Sequence, residues 1–358
     1  MKVRIGDICT LKSGTSLKDD VLNANEGIPY IKVSDMNLEG NEKYIIKANS
    51  YANESISPKM LFPIGTILFP KRGGAIGTNK KRIANKVVCA DLNTMGVIPS
   101  EKVRPLFLYY YFQNIDFGTL YNGSSVPQIN NTDIAPMEIE LLSLQEQDEA
   151  IAVLEKVDNI ISGRKRELER LDALIKARFV ELFGDIISNE RCWKVDTWSN
   201  VLKIVNGRNQ KAVEAEDGKY LICGSGGAMG KATNYLTKEN SVIVGRKGNI
   251  NKPILMREKY WNVDTAFGIE PNEEYINVEY LYMFCIFFDF EKLNKAVTIP
   301  SLTKADLLNI EIPIPDMRVQ EQFANFVHQV DKSKVKEIKK NYEPIDNGFY
   351  YKNIWKGL

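Results

Sequence analysis

Apolar positions along the chain fall into three patterns. Short β-branched runs bounded by Gly, Asn and Pro predict strands at 30–33, 66–69, 87–90, 97–99 and 241–244. Two segments, 107–114 and 280–288, are apolar nearly all round and predict short buried helices. Each precedes an aspartate-led turn, Asp133-Ile134 or Asp306-Leu307, and then a run, 137–142 or 310–314, that predicts a further strand. The third pattern is a heptad: Leu154, Val157, Ile161, Arg164, Leu168, Leu171, Ile175, Arg178 and Leu182 recur at strict 3,4 spacing. With Gly184 as C-cap, it predicts one helix over 144–183, about 60 Å long at 1.5 Å per residue. Such a stripe needs a second helix along it. The segment 319–340 offers one, with Phe323, Val327, Val330 and Ile338 at near-heptad spacing, and the two are expected to pack antiparallel.

The same patterns occur twice, in the same order. Ile5-Gly6-Asp7-Ile8, Leu11 and Gly14 match Trp198-Ser199-Asn200-Val201, Ile204 and Gly207. A β-branched run ending in a basic glycine loop is Ile67 to Gly74 in the first copy and Val242 to Gly248 in the second. Each is followed by a strand-like segment ending in Asp91 or Asp264. Leu108-Tyr109, Asp116-Phe117, Pro127, Asp133 and Ile139 match Leu281-Tyr282, Asp289-Phe290, Pro300, Asp306 and Ile312. Gln145-Glu146-Gln147 is aligned with Gln320-Glu321-Gln322. The expected fold class is α+β: two duplicated mixed α/β domains separated by two long antiparallel helices that form an intramolecular coiled coil. The divisions fall at 1–143, 144–184, 185–318 and 319–340, followed by an aromatic tail at 341–358. That tail, with Phe349, Tyr350, Tyr351 and Trp355, is expected to pack back on the helices or the second domain.

Net charge is only +1, which argues weakly against a polyanion as ligand, but the distribution is uneven. Bases cluster around both glycine loops, at 59–104 and 231–259, while the compensating acids lie elsewhere. Lys and Arg neutralise phosphates, and Arg, Asn and Gln read base edges. The candidate DNA-binding residues are Lys71, Arg72, Asn79, Lys80 and Lys81 in the first copy and Arg246, Lys247, Asn249 and Asn251 in the second. A second loop adds Ser124, Ser125 and Gln128. For any single residue a solvated charged face explains the charge as well; the paired occurrence favours binding. Arg164 and Arg178, on the apolar stripe, read as snorkelling or partner-facing.

Catalytic patterns fail. The five cysteines form no CxxC pair and His328 is the single histidine, so zinc-site spacing is absent and no metal is expected. Scattered thiols in odd number fit a reduced, cytoplasmic protein. The N-terminus has no apolar run of signal length, and the most apolar stretch, 280–290, is far short of the ~20 residues of a membrane span. Ser225 to Ala232 approaches a phosphate-binding loop but has Ser225 and Ala232 where Gly and Ser or Thr are required. No GxGxxG opens a βαβ unit, and neither HExxH nor an Asn-Pro-Pro-aromatic tetrapeptide occurs. These absences favour a binding module without catalytic residues or cofactor.

A duplicated α/β domain alternating with two long helices resembles the specificity subunit of type I restriction–modification enzymes. Gly123-Ser124-Ser125-Val126-Pro127-Gln128-Ile129-Asn130 resembles the family's Gly-Ser/Thr-x-x-Pro element. Leu142 to Gln147 resembles the entry into its conserved helix, and Leu182-Phe183-Gly184-Asp185 the exit. The resemblance covers roughly residues 1–340. It implies that each copy is a target-recognition domain reading one half of a split site in double-stranded DNA. It further implies that the helices set the gap and bind two methyltransferase subunits, and that a separate motor–nuclease subunit joins them. The S-adenosylmethionine and ATP belong to those partners. Two features depart from the family: Val297-Thr298-Ile299-Pro300-Ser301 lacks the glycine, and the C-terminal helix is about half the length of the central one. The specificity partner of another restriction–methylation type, a coiled-coil interaction scaffold and an enzyme with an unrecognised site are the alternatives.

Overall fold

The computed structural model describes residues 1–23, 26–53, 56–120, 126–295 and 299–339. It divides into two units between Gly163 and Arg164. In the first, β1 (Lys2–Arg4) leads through one helical turn into β2 (Cys9–Ser13). With β3 (Tyr44–Ile45), β4 (Ile67–Pro70), β5 (Arg82–Ala84) and β6 (Thr94–Pro99), β2 makes a five-stranded sheet of order β2-β6-β4-β5-β3. The apolar run of β4 is buried at every position, as suits a central strand covered on both faces. Strand β7 (Glu138–Glu140) returns antiparallel to β1, with Val3 opposite Ile139. Helix α1 (Pro105–Gln113) packs on β4 and β5 and buries Phe107 through Phe112. Phe69, Phe112 and Phe117 meet there, the closest ring centroids 4.6 Å apart. A small sheet of Leu22–Asn23, Tyr51–Ala52, Ile28–Ile31 and Cys89–Ala90, in that order, completes the unit.

Helix α2 (Leu144–Phe183) has the expected bounds. Every position of its heptad stripe is buried or half-buried. Its first turns belong to the core of the first unit, where Ala150 and Leu154 are buried. Its last turns belong to the core of the second, through Ile175, Phe179 and Phe183.

The second unit repeats the plan. Strands β8 (Lys194–Thr197), β9 (Leu202–Asn206), β10 (Tyr220–Gly224), β11 (Gly227–Ala232), β12 (Ser241–Gly245), β13 (Ile254–Met256), β14 (Tyr260–Asn262), β15 (Ala266–Pro271) and β16 (Glu311–Ile314) form sheets of order β9-β15-β12-β13, β11-β10-β14 and β8-β16. Helix α3 (Val278–Phe287) takes the place of α1. Helix α4 (Met317–Lys339) runs antiparallel to the last turns of α2: Phe323 meets Phe179 and Phe183, and farther along Lys334 pairs with Asp172 at 2.7 Å. The expected helix pairing is present in this segment, fused to the domain core. Residues 225–232 are the turn and return strand of a hairpin with no helix after them, which disposes of the phosphate-loop resemblance.

Backbone bonds define the internal repeat residue by residue. Ile5 N–H donates to Met137 O at 2.8 Å and Trp198 N–H to Ile310 O at 2.9 Å. Gly14 and Gly207 recur because neither has room for a side chain: a Cβ would lie 2.1 Å from Asp91 O in one and 1.8 Å from Val263 O in the other. The counterpart of Asp91 is thus Val263, not the expected Asp264. The glutamines need a larger correction. Gln147, fully buried, accepts Arg104 N–H at 2.8 Å and donates to Lys102 O and Leu142 O. Gln320, also fully buried, accepts Asn277 N–H at 2.8 Å and donates to Tyr275 O and Pro315 O. Gln147 therefore corresponds to Gln320, and the expected alignment of Gln145 with Gln320 is two residues out of register. The aromatic tail 341–358 and Val297-Thr298 lie outside the described residues.

Candidate nucleic-acid interface

Each unit ends its central strand in a basic glycine loop, and both loops are held identically. In the first, Gly73 N–H donates to Pro127 O at 2.8 Å and Ile129 N–H to Lys71 O at 2.9 Å. In the second, Gly248 N–H donates to Pro300 O at 3.0 Å and Leu302 N–H to Arg246 O at 2.9 Å. The pairs Arg72–Gln128 and Lys247–Ser301 face each other as β-bridges. Gly73 (φ 75°) and Gly248 (φ 79°) are left-handed, a conformation open to glycine at little cost. Lys71 thus corresponds to Arg246 and Arg72 to Lys247. The prolines of the Gly-Ser/Thr-x-x-Pro element and its second-copy relative serve to dock these loops.

Burial then sorts the candidates. Arg72, Lys247 and Asn249 are exposed. Arg246 is half-buried, its guanidinium 5.8 Å from the centre of the Phe267 ring. Gln128 is half-buried and donates to Asn130 Oδ1 at 2.6 Å. Lys80 donates to Asn37 Oδ1. Ser124 and Ser125 lie outside the described residues.

Four candidates are corrected. Lys81 is fully buried: its ammonium donates to Asn79 Oδ1 at 2.6 Å and Ile115 O at 2.7 Å, and lies 4.3 Å from the centre of the Phe117 ring. Burial pulls its pKa down to about 7. Its ammonium has no exposed surface to offer a phosphate. Lys71 is 8% exposed and donates to Ser13 Oγ at 2.8 Å, and burial, then the neighbouring Arg72, lowers its pKa. Asn79 Oδ1 also accepts Phe117 N–H at 2.9 Å, and Asn251 Oδ1 accepts Phe290 N–H at 2.7 Å while its Nδ2 donates to Asp289 at 2.9 Å. Bidentate reading of a base needs both ends of the amide. These asparagines instead tie the loop to the turn after α1 or α3.

On α2, Arg164 pairs with Glu167 at 2.7 Å. Arg178 pairs with Glu181 at 2.7 Å, and its guanidinium lies 5.9 Å from the centre of the Phe326 ring of α4. Val153, Ile160, Leu174 and Val180 are the large apolar residues exposed along α2 beyond its first turn. Among the described residues no group of three or more His, Cys, Asp or Glu is placed to hold a metal ion, and no helix is long and apolar enough to cross a membrane. Asn37 and Ser225 approach the glycine loops from distant segments; the sequence marks Ser225 only as the start of the failed phosphate-loop pattern and Asn37 by nothing.

Comparison with known proteins agrees with this duplicated plan. Two stretches, residues 1–170 and 190–345, match the type I restriction modification DNA specificity domain. The type I restriction enzyme MjaIX specificity subunit of Methanocaldococcus jannaschii is 24% identical over 311 residues, covering 75% of this chain and 71% of that protein. A putative type I restriction enzyme MjaX specificity subunit of the same organism is 22% identical over 268 residues, covering 64% and 62%. The crystal structure of a type I restriction–modification S subunit from M. genitalium superimposes with a TM-score of 0.53 at 16% identity, over 100% of this chain and 94% of that one, a likeness of fold. With the domain matched twice, once on each half of the repeat, the chain belongs to the type I restriction–modification DNA specificity family.

Proposed function

We propose that the chain is the non-catalytic, cytoplasmic specificity subunit of a type I restriction–modification enzyme, reading a bipartite site in double-stranded DNA with one half per unit. The observation that carries this is the pair of identically docked glycine loops, each presenting one exposed cation beside a left-handed glycine: Arg72 at Gly73 and Lys247 at Gly248. Glycine lets the loop backbone approach a phosphate, and the cation neutralises it. The working division is a first target-recognition domain at 1–143, a spacer helix at 144–184, a second domain at 185–318, a C-terminal spacer helix at 319–340 and the tail at 341–358. The exposed apolar residues of α2, Val153, Ile160 and Leu174, share heptad spacing and suit a protein partner. Two methyltransferase subunits and a motor–nuclease subunit are the partners in this reading. S-adenosylmethionine and ATP are theirs, and this chain needs no cofactor.

The test is to express the chain with its neighbouring methyltransferase in a host and sequence the DNA for methylated adenine. Methylation at one split motif, weakened across the whole motif by Arg72→Ala or Lys247→Ala, is the expected result. Adenine methylation that is absent, or that persists without this chain, overturns it and favours a protein-interaction scaffold.

A further inference from the structure

The two units share a scaffold but part company at one place. Strand Ile28–Ile31 in the first unit and β10 in the second are equivalent: Asp91 N–H donates to Ile31 O at 3.0 Å, and Val263 N–H to Cys223 O at 2.9 Å. Each then pairs antiparallel with a returning strand, Pro29 opposite Tyr51 and Leu221 opposite Lys231. Between these matched pairs the first unit carries an excursion over residues 32–50. The second makes a tight hairpin over residues 224–230.

Both connections lean on the basic glycine loop of their own unit. Asn37 Oδ1 accepts from Lys80 Nζ in the first. In the second, a Cβ on Gly248 would lie 4.0 Å from Ser225 Oγ, and one on Gly226 would lie 3.9 Å from Asn249 Nδ2. Both are also held in a defined shape. In the excursion, Asp35 and Asn41 are buried. Asp35 accepts Lys32 N–H at 2.8 Å and Asn49 Nδ2 at 2.7 Å, while Asn41 bonds the backbone of Asp35, Ile46 and Lys47. That lock leaves Ser34 and Asn37 exposed on one short turn. In the hairpin, a register shift between Ile222 and Cys223 and the left-handed Gly227 (φ 108°) set the turn, and Met229 is 60% exposed. A surface loop that spends two buried polar side chains on its own conformation is preorganised, which is what recognition without an ordering cost requires.

We propose that these two connections, residues 32–50 and 224–230, are the base-reading elements of their units, with Arg72 and Lys247 holding the adjacent backbone. Ser34 Oγ and Asn37 Nδ2, the end of the amide that does not hold Lys80, offer hydrogen bonds to a base edge. Ser225 offers one more, and Met229 an apolar contact of the kind that suits a thymine methyl. The difference between the connections, on one scaffold, predicts that the two half-sites differ in sequence. This rests on the DNA-reading function proposed above.

The test uses the full chain with its methyltransferase, and reads the methylated motif by sequencing. Ser34→Ala with Asn37→Ala should relax one or two positions of one half-site, with discrimination there falling roughly tenfold. The other half-site stays as in the wild type. Ser225→Ala with Met229→Ala should do the same to the opposite half. The single exposed change Met229→Gln is the second variant, expected to shift preference within that same half. An unchanged motif, or a uniform loss of methylation across it while the melting temperature holds, overturns the inference and leaves the DNA-reading function standing. A wild-type chain that directs no methylation sinks that function and the inference with it.

Discussion

Asn79 holds Phe117 by its backbone, the side-chain Oδ1 accepting the Phe117 N–H at 2.9 Å, and Asn251 holds Phe290 in the same way at 2.7 Å. In each unit the amide thereby ties the glycine loop to the aromatic turn that follows α1 or α3. Asn79 is left-handed (φ 53°), which asparagine tolerates better than most residues. Asn79→Ala removes the acceptor for both Phe117 N–H and Lys81 Nζ and adds backbone strain. A loss of about 2–4 kcal/mol is expected, somewhat above the ~1–3 kcal/mol for one orphaned buried group. Asn251→Ala, with no such strain, should lose about 1–3 kcal/mol. Urea denaturation of the two variants checks both the size and the order.

Lys81 makes stability depend on pH in an unusual direction. Its pKa falls from 10.5 in the unfolded chain to about 7 when folded, so between those values the unfolded chain binds more protons. Stability contributed at this site therefore rises as pH rises from about 7 toward 10.5, and its cost is fully present below 7. Lys81→Met abolishes this. The difference in unfolding free energy, wild type minus variant, should increase from pH 7 to pH 10, by an amount on the order of a few kcal/mol. A flat difference across that range would contradict a buried ammonium.

Much of this fold was legible in the sequence, because its signals are local or periodic. The heptad from Leu154 to Leu182 marks a face that is buried or half-buried throughout α2, and the apolar run at 67–70 becomes the buried central strand. Gly14 and Gly207 recur because the chain leaves no space for a Cβ. What escaped is what depends on a distant partner. Lys71 is neutralised as a candidate by Ser13, and Lys81 by Ile115 and Phe117. No local pattern distinguishes them from the exposed Arg72. The glutamine register slipped because Gln145 and Gln147 are two residues apart, and the one that matters is identified by its backbone partners at 102–104.

Gln147 and Gln320 seat the entry into α1 and α3, each through one accepted and two donated bonds to backbone. Gln145, by contrast, is exposed and donates to Glu149 one turn on. Gln147→Ala and Gln320→Ala should each cost about 1–3 kcal/mol for the backbone groups they leave without a partner. Gln145→Ala should stay within about 0.5 kcal/mol of wild type, as surface substitutions do. Thermal or urea unfolding of the three variants distinguishes the corrected alignment from the one read off the sequence.

Salt dependence separates the cations that meet DNA from those that hold the fold. Each phosphate neutralised by a lysine or arginine releases counterions, so log K falls with log salt concentration by about 0.9 per contact. Arg72 and Lys247 are exposed beside left-handed glycines, whereas Lys71 donates to Ser13 Oγ and is 8% exposed. Arg72→Ala and Lys247→Ala should each weaken binding to the matched site and flatten the salt slope by roughly one unit. Lys71→Met, which keeps an apolar stem but removes the ammonium, should leave the slope as it is while lowering stability, since Ser13 loses its partner. Fluorescence anisotropy with duplex carrying the methylated motif, titrated between about 50 and 200 mM salt, measures all three. A Lys71→Met slope reduced as far as that of Arg72→Ala would mean that the Lys71 ammonium leaves Ser13 to meet the duplex, and the assignment of phosphate contacts within the loop would extend from Arg72 to its neighbour.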